Sequence, residues 1–551
     1  VDQYGADGKM VFGNDDKLLK ATLTEKLLVT LLAKLTNFIP EGGIWLNTQR
    51  PEWNDANNAL VGNGVSMVTL YYIRRYLTFC IELFGEGSKD QFEIHTPVSN
   101  LLNSVSACFN DNQEILIGSV SNNTRKSIMD SLGRAGEVYR EKGYSGFADS
   151  GSSTVDKIQL VEFFELARKY VDHSIRANKR SDGLYHSYNL VQIKGDEASI
   201  EYLYEMLEGQ VSVLSAGLLS GREALEVLDA LKESKIYRED QYSYLLYPDR
   251  ELPRFLEKNN IPNSFIESSN LAQTLLQKGD ITLISKDLKG NYHFNGSFTN
   301  ANGLRDKLEE LKDDYADLVE NEYEDYLEVF ETMFNHKAFT GRSGTFYGYE
   351  GLGSIYWHMV SKLLLVVQEN IFKSISEGED EAVIKRLKEH YYDVREGIGV
   401  HKSPSLYGAF PTDPYSHTPA NKGAQQPGMT GQVKEDVMNR WAELGIRITA
   451  GRISFNPIFL KNDEFLSNPD TFEYFNVEGE RENLNLDAGE LAFTYCQVPV
   501  IFKRGTKDQI QLTLKDGATV DMDGLNLPED ESGEIFKRSG KIRGLNITLN
   551  Y

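Results

Sequence analysis

The residue types best suited to chemistry are concentrated between positions 52 and 58. Trp53 offers a flat aromatic face for a sugar ring, and Asp55, two residues later, offers a carboxyl group that can give up a proton. Asn54 and Asn58 add amide donors and acceptors suited to hydroxyl groups. Gripping a sugar and protonating its glycosidic oxygen requires this combination. The segment therefore predicts a carbohydrate site with Asp55 as the general acid.

A structural role for Asp55 is the alternative. The segment leads into an apolar helical run, and an Asp at a helix start commonly accepts a hydrogen bond from the amides of the first turn, here those of Asn57 or Asn58. Asn is a mediocre helix former, and a cap does not require a nearby Trp and three flanking Asn residues. These two features favour the catalytic interpretation over the N-cap.

The elements that must position this segment are mostly helical. Hydrophobic periodicity typical of amphipathic helices dominates from about residue 15 to about residue 450. The predicted helices lie near 16–38, 56–82, 125–141, 155–176, 199–217, 221–234, 303–335, 353–373, 379–395 and 432–445. The run at 303–335 carries many acidic residues, which indicates a solvated outer face.

Two segments interrupt the helical pattern. Residues 236–300 indicate a small insertion with short strands at 281–285 and 290–294. Residues 395–431 form a long loop rich in Gly, Pro, Ser and His. Structureless stretches of this length in compact domains are often functional.

The pattern changes again near the C-terminus. After about residue 447 it becomes one of short strands separated by Gly, Asp and Asn. We therefore expect a helical catalytic domain over 1–446, with the insertion at about 236–300, followed by a β module over 447–551. Many helices joined by polar loops favour an (α/α) barrel, because an α-solenoid would require a repeat period that the sequence lacks.

Composition narrows the classes of partner. The 551 residues include 58 basic and 82 acidic side chains, a net charge of −24, which argues against nucleic acid or an anionic membrane as partner. A neutral, hydroxyl-rich ligand is compatible with that charge. The three cysteines have neither the spacing of a metal site nor that of a disulfide framework. No apolar run is long enough to span a bilayer. We expect a cytoplasmic protein without a metal or organic cofactor.

Trp53-Asn54-Asp55, followed by Asn58, resembles the Trp-Asn-Asp segment of inverting β-glycoside phosphorylases. That family includes the cellobiose, chitobiose and laminaribiose phosphorylases and the large β-oligoglucan phosphorylases. The resemblance implies that Asp55 is the general acid and that Trp53 lines the subsite of the transferred sugar. Asn54 and Asn58 are then expected to contact the substrate, as is Glu52, whose charge would also help to keep Asp55 protonated.

A second segment, from Tyr349 to His358, is similar to the family's Glu-Asn-Gly-Gly-Gln-Tyr-Thr-His stretch. The resemblance implies that His358 helps to hold phosphate and that Tyr349 and Glu350 border the substrate. The spacing departs slightly from the family's pattern and the Asn is absent. The alternative for His358 is a histidine hydrogen-bonded in the core of a mostly apolar helix.

A third segment, Gly428 to Gln432, resembles the family's Thr-Gly-Ser-Ala-Gly segment. The resemblance implies that the hydroxyl of Thr430 and the amide of Gly431 bind phosphate, and helix N-termini are natural anion sites. A Gly-rich turn with Thr430 as a simple N-cap is the alternative. In the preceding loop, over 401–427, Gln425 and Gln426 are predicted to bind the substrate.

The resemblance implies an (α/α)6 barrel followed by a C-terminal β-sandwich or jelly-roll-like module. It implies inverting phosphorolysis of β-linked gluco-oligosaccharides, with inorganic phosphate as co-substrate and α-glucose 1-phosphate as product. The length of residues 85–335 favours an oligoglucan over a disaccharide, and β-1,3 linkages are favoured over β-1,2. An inverting hydrolase on the same barrel, with Glu350 or Asp413 activating water, is the nearest alternative, and a non-catalytic carbohydrate-binding subunit is another.

The resemblance also carries an expectation about the extent of the polypeptide. In the family, a β-sandwich and the first part of the barrel precede the Trp-Asn-Asp segment, whereas only 52 residues precede Trp53 here. We therefore expect the barrel in this chain to be incomplete. An N-terminal half or a partner chain would complete it, and the family suggests a homodimer.

Overall fold

The structure is a computed structural model that describes residues 18–46, 62, 64–145, 151–246, 248, 254–334, 355–398, 417–418 and 432–550. About half of the described residues are helical, and several sheets accompany the helices. The chain divides into two compact units, Val1–Gly428 and Met429–Tyr551. Among the described residues, no helix combines the length and the apolar character needed to cross a membrane.

The helices of the first unit alternate with short strands. Its helices are α1 (Leu23–Leu35), α2 (Met67–Glu86), α3 (Thr96–Asp111), α4 (Asn122–Ser145), α5 (Lys157–Ala177), α6 (Leu207–Ser215), α7 (Gly221–Glu233), α8 (Phe255–Lys258), α9 (Asn263–Ser268), α10 (Asn270–Lys278), α11 (Ala301–Phe334), α12 (Trp357–Ser376) and α13 (Glu381–Glu396). Its strands are β1 (Phe38–Ile39), β2 (Gly43–Trp45), β3 (Gly64–Ser66), β4 (Gln91–His95), β5 (Ser152–Asp156), β6 (Tyr188–Lys194), β7 (Glu197–Tyr202), β8 (Tyr237–Arg238), β9 (Ser243–Tyr244), β10 (Ile284–Lys286), β11 (Tyr292–Phe294), β12 (Ile355–Tyr356) and β13 (His417–Thr418).

A row of packed helices forms the body of this unit. α2 packs against α5 and α6, α6 packs against α12, and α12 packs against α13. Every residue of α6 is buried, as expected for a helix surrounded by others. α7 begins with a capping box in which the Ser220 hydroxyl and the Glu223 carboxylate satisfy each other's backbone amides.

A five-stranded antiparallel sheet lies beside the helices, in the order β1-β2-β3-β6-β7. The sequence pattern predicted helices over parts of it, at 56–82 and 199–217. Instead, Gly64 to Ser66 is a strand that pairs with β2 and β6, and 197–202 is a strand that pairs with β6. Cross-strand pairing therefore overrides the local helical periodicity at both places.

Residues 254–334 build a separate small core. The two short strands expected in the insertion are present as the hairpin β10–β11. The hairpin packs with α10 and α11 around buried residues that include Leu275, Phe294 and Phe330. α11 has non-helical backbone angles at Tyr315, which mark a kink. The acidic run predicted as a helix over 303–335 corresponds to α11.

The second unit is rich in strands. Its elements are the helices α14 (Gln432–Glu443) and α15 (Glu529–Phe536) and the strands β14 (Ile446–Thr449), β15 (Arg452–Phe455), β16 (Asp470–Phe475), β17 (Arg481–Leu486), β18 (Glu490–Tyr495), β19 (Val498–Gly505), β20 (Gln509–Leu514), β21 (Thr519–Asp523) and β22 (Ile542–Asn550). The main sheet has the order β18-β19-β22-β20-β21. Its central pair, β19 and β22, is parallel. This pair distinguishes the sheet from the expected jelly roll, whose strands are antiparallel.

A buried ion pair fixes the turn between β1 and β2. Arg125 Nη2 lies 2.7 Å from a Glu41 carboxylate oxygen, and the two residues are 6% and 7% exposed. The same guanidinium donates to the carbonyl oxygens of Pro40, Ala198 and Val120 at 2.9–3.0 Å. The second carboxylate oxygen of Glu41 accepts from the Val120 amide. Both charges are therefore fully engaged, which is the condition under which a buried pair stabilises.

Removal of this guanidinium should be costly. We expect Arg125→Met to lower the free energy of unfolding by about 3–5 kcal/mol, because Glu41 would remain as an uncompensated buried charge. Urea unfolding followed by circular dichroism measures the change. Lys179→Met is the matched control, since its ion pair with Glu226 is exposed and should contribute less than about 1 kcal/mol. Equal losses of unfolding free energy in the two variants would show that the buried Arg125–Glu41 pair is no more important than an exposed one.

Candidate functional site

Most of the predicted site residues lie outside the described residues. They are Glu52, Trp53, Asn54, Asp55, Asn58, Tyr349, Glu350, Gln425, Gln426, Thr430 and Gly431. Of the predicted site residues, His358 lies within the described part of the chain, and so does His417 of the long loop at 401–427. The structure therefore shows the elements from which these segments start and to which they return.

The segment 47–61, which contains Trp53 and Asp55, starts from a closed base in the five-stranded sheet. The Gly62 amide donates to the Leu46 carbonyl at 2.6 Å, and the Leu46 amide donates to the Gly64 carbonyl at 2.7 Å. The Trp45 indole Nε1 donates to the Gly62 carbonyl at 3.2 Å. The two ends of the segment are thus held together between β2 and β3.

The helix that follows the segment also has a fixed start. Ser66 is the N-cap of α2, and its hydroxyl accepts from the Thr69 amide at 3.0 Å. The next two amides, of Met67 and Val68, donate to the Ser187 carbonyl at 2.9 and 3.2 Å. The described start of α2 is therefore at Met67, and its orphan amides are satisfied by Ser66 and by the residue before β6.

His358 lies in the first turn of α12 and is half-buried. Its ring stacks on Tyr356, with centroids 5.1 Å apart and planes at 12°. The preceding strand β12 pairs with β13, so Tyr356 lies opposite His417. The structure therefore pairs residues 355–356 of the second predicted segment with residues 417–418 of the long loop, a contact that the sequence did not predict.

A cleft with a volume of about 600 Å³ opens at the base of the segment 47–61. Three parts of the first unit form its walls: the base itself, the β6–β7 hairpin and the C-terminal end of α11. The lining residues are Trp45, Gly62, Leu190, Val191, Gln192, Ile193, Lys194, Glu201, Glu331 and Thr332. Small-molecule sites commonly occupy clefts of this size.

The chemistry of the cleft is that of hydroxyl recognition. Trp45 lines the cleft and packs on a small core. This core, formed by Ile39, Val65, Met129, Val191 and Ala198, holds the indole in place. Gln192 Nε2 donates to the Glu201 carboxylate at 2.9 Å across the hairpin. An amide and a carboxylate held side by side can bond neighbouring hydroxyl groups of a sugar.

One buried carboxylate of the first unit was not predicted as a functional residue. Glu208 is 3% exposed on α6 and accepts from the Tyr188 hydroxyl at 2.8 Å. Ser212, one turn later, hydrogen-bonds the hydroxyl of Tyr72, whose pKa is raised by burial. A charged residue inside an otherwise apolar helical run was the signal that could have identified this cluster.

Gly43 controls how closely β2 approaches β3. Its φ is +120°, and a Cβ there would lie 2.7 Å from the Ser66 carbonyl oxygen. We expect Gly43→Ala to destabilise the protein by about 1–3 kcal/mol, the typical cost of a strained backbone position. Thermal unfolding measures the effect.

The control for Gly43 is Gly85→Ala on α2. A Cβ at Gly85 meets no atom within 4 Å. This variant should be neutral or up to about 1 kcal/mol more stable, because Ala is the better helix former. A Gly43→Ala variant as stable as Gly85→Ala would contradict the close approach of the strands.

His186 precedes Ser187, whose carbonyl oxygen accepts from the first amides of α2. Its ring stacks on Tyr202 at 4.4 Å, and its Nδ1 donates to the Leu203 carbonyl at 3.1 Å. Burial, reinforced by the Arg180 guanidinium, lowers the pKa of His186 to about 4, although Asp182 opposes the shift. The unfolded chain binds this proton near pH 6.5. Between these two values the unfolded state carries more protons than the folded state. The free energy of unfolding must therefore decrease as the pH is lowered from about 6.5 to about 4.

We expect His186→Gln to remove this part of the dependence. Urea unfolding at pH 7, 5.5 and 4.5 should show a smaller loss of stability for the variant than for the wild type. His173→Gln is the control, because it leaves His186 in place and should keep the wild-type dependence. Identical pH profiles for wild type and His186→Gln would show that His186 does not contribute to the pH dependence of stability.

Comparison with known proteins gives a match for the region of the insertion. A comparison of the chain with curated proteins gives no match. Residues 252–337 match the family model described as GH149 phosphorylase insertion domain 2. The matched range overlaps the insertion expected at 236–300 and extends over the whole acidic helix α11, so the separate small core is similar to a domain inserted in GH149 phosphorylases.

Proposed function

We propose that this protein is a glycoside phosphorylase of the GH149 type, which cleaves β-linked gluco-oligosaccharides with inorganic phosphate and inverts the anomeric centre. The observation that carries this proposal is the match of residues 252–337 to an insertion domain of GH149 phosphorylases. The Trp53-Asn54-Asp55 segment, which resembles the acid segment of inverting phosphorylases, supports it independently. The products are α-glucose 1-phosphate and a glucan shortened by one unit.

In the proposed reaction, Asp55 donates its proton to the glycosidic oxygen as the bond from that oxygen to the anomeric carbon breaks. A phosphate oxygen forms the new bond to the anomeric carbon from the opposite face, and the proton that the hydrogen phosphate loses returns through solvent to Asp55. Phosphate is itself the nucleophile, so a second carboxylate that activates water is not required. Trp53 would line the subsite of the transferred glucose, with Glu52, Asn54, Asn58, Tyr349, Glu350, Gln425 and Gln426 around the substrate.

The phosphate would be held by His358, Thr430 and the amide of Gly431. The position of His358 in the first turn of a 20-residue helix supports this role, because the amides and the dipole at a helix start favour an anion. The net charge of −24 means that phosphate must find such a local concentration of donors.

The finer parts of the proposal rest on the resemblance. They are an (α/α)6 barrel completed by an N-terminal half or a partner chain, a preference for β-1,3 linkages, a homodimeric state and a cytoplasmic location. The row of helices from α5 through α2 and α6 to α12 and α13 is compatible with a part of such a barrel.

Product analysis tests the proposed function directly. The longest polypeptide that contains this chain is incubated with β-1,3- and β-1,2-linked gluco-oligosaccharides, with and without phosphate, and glucose 1-phosphate is assayed. We expect its release only with phosphate, favouring the β-1,3 series. Asp55→Asn should lower the rate at least about 100-fold, the usual contribution of a general acid.

Asp523→Asn is the matched control, since that carboxylate is 93% exposed in the second unit. It should retain the wild-type rate. Free glucose released without phosphate would overturn the proposal in favour of a hydrolase, and binding without any turnover would indicate a non-catalytic carbohydrate-binding subunit. Preferential cleavage of the β-1,2 series would correct the linkage alone.

A further inference from the structure

We propose that the cleft between the β6–β7 hairpin and the end of α11 binds the glucose units that lie beyond the cleaved bond of an oligosaccharide. The insertion at 254–334 would then make the enzyme selective for longer chains, because α11 forms one wall of the cleft. This inference rests on the proposed function, since it assigns a place to the substrate of the same reaction.

The position of the cleft supports this assignment. Trp45 and Gly62, which close the base of the segment 47–61, also line the cleft. The cleft therefore borders the point at which the predicted acid segment leaves the sheet and returns to it. The other walls of the cleft are formed by residues 190–194, 201 and 331–332.

The side chains in the cleft suit a neutral polyhydroxyl ligand. The supported indole of Trp45 offers an apolar face, and sugars present apolar C–H faces to aromatic rings. The Gln192–Glu201 pair and the hydroxyl of Thr332 offer hydrogen-bond donors and acceptors around that face. Glu331 adds a second carboxylate to the lining.

Electrostatics argue against an anion in the same place. Among the described residues of the lining, one is a cation, Lys194, against the carboxylates of Glu201 and Glu331. The part of α11 after the kink at Tyr315 carries no Lys or Arg, and its acidic residues are Asp317, Glu320, Glu322, Glu324, Asp325, Glu328 and Glu331. A negative potential of this kind repels phosphate and leaves a neutral sugar unaffected. The cleft is therefore a sugar site separate from the phosphate.

The wall supplied by α11 is fixed in place. Phe330 and Phe334, on either side of Glu331 and Thr332, are buried in the core of the insertion and contact each other with centroids 4.7 Å apart. Phe330 also contacts Phe294 of the hairpin at 5.2 Å. These contacts fix the helix end that carries half-buried Glu331 and exposed Thr332. A wall that selects a ligand must be held rigidly in this way.

Direct binding tests this inference without relying on turnover. The affinity of the full chain for β-linked gluco-oligosaccharides of two to seven units is measured by calorimetry, without phosphate. Affinity should rise with chain length in the wild type. Thr332→Trp, which fills the cleft, and Glu331→Gln, which weakens a charged acceptor, should each reduce affinity for the longer chains by about tenfold. The affinity for the disaccharide should not change.

Two controls on the same helix match these changes. Asp325→Trp and Glu328→Gln introduce the same side chains at exposed positions that do not line the cleft, and both should bind as the wild type does. Cleft variants that bind long chains as tightly as these controls would overturn the inference, as would an affinity independent of chain length in the wild type.

The assay of glucose 1-phosphate tests the proposed function separately from the binding measurements. If glucose 1-phosphate is formed and the cleft variants keep the wild-type KM for long chains, only the inference fails. If the cleft variants lose affinity and no glucose 1-phosphate is formed by the wild type, only the proposed reaction fails.

Discussion

The arrangement of the first unit around the candidate site depends on one buried guanidinium. Arg125 gives its donors to Glu41 and to the carbonyl oxygens of Pro40, Val120 and Ala198. It thereby joins the β1–β2 turn, the start of α4 and strand β7. Glu41 itself has a φ of 59°, and its backbone is held by Ser174 and Asn178. A left-handed residue with a buried charge is tolerated only because every neighbouring group satisfies it.

Two glycines link the turn held by Arg125 to the ends of the segment 47–61. A Cβ at Gly42 would lie 2.8 Å from the Ile200 side chain, and one at Gly43 would meet the Ser66 carbonyl. The turn anchored by Arg125 therefore sets the approach of β2 to both β3 and β7. The segment follows β2 and precedes β3, so the positions of its two ends depend on this turn. The described ends of this segment, Leu46 and Gly62, lie far in sequence from Arg125, and the sheet connects them to it.

The sequence predicted the parts of this arrangement that local patterns encode. The start of α7 was visible in Ser220 and Glu223, because a capping box is a local signal. Helix α3 was missed, since its many Ser and Asn residues have low helix propensity and obscure its apolar face. Arg125 had the periodicity of an ordinary exposed helix residue, and only tertiary contacts bury it. The cleft could not be predicted, because its walls come from three segments, near 45, 190–201 and 331, that share no local motif.

The distribution of charge gives the proposed function a physical logic. A sugar is neutral, so an acidic wall such as the end of α11 places no penalty on binding it, and carboxylates are good acceptors for its hydroxyl groups. Phosphate is an anion, and in a chain of charge −24 it requires positive partial charges concentrated at one point. The start of α12, where His358 lies, provides such a point, and the cleft does not. Under the proposed function, this difference in charge would direct the sugar and the phosphate to different surfaces before they react, and an acidic protein could then use phosphate as its nucleophile.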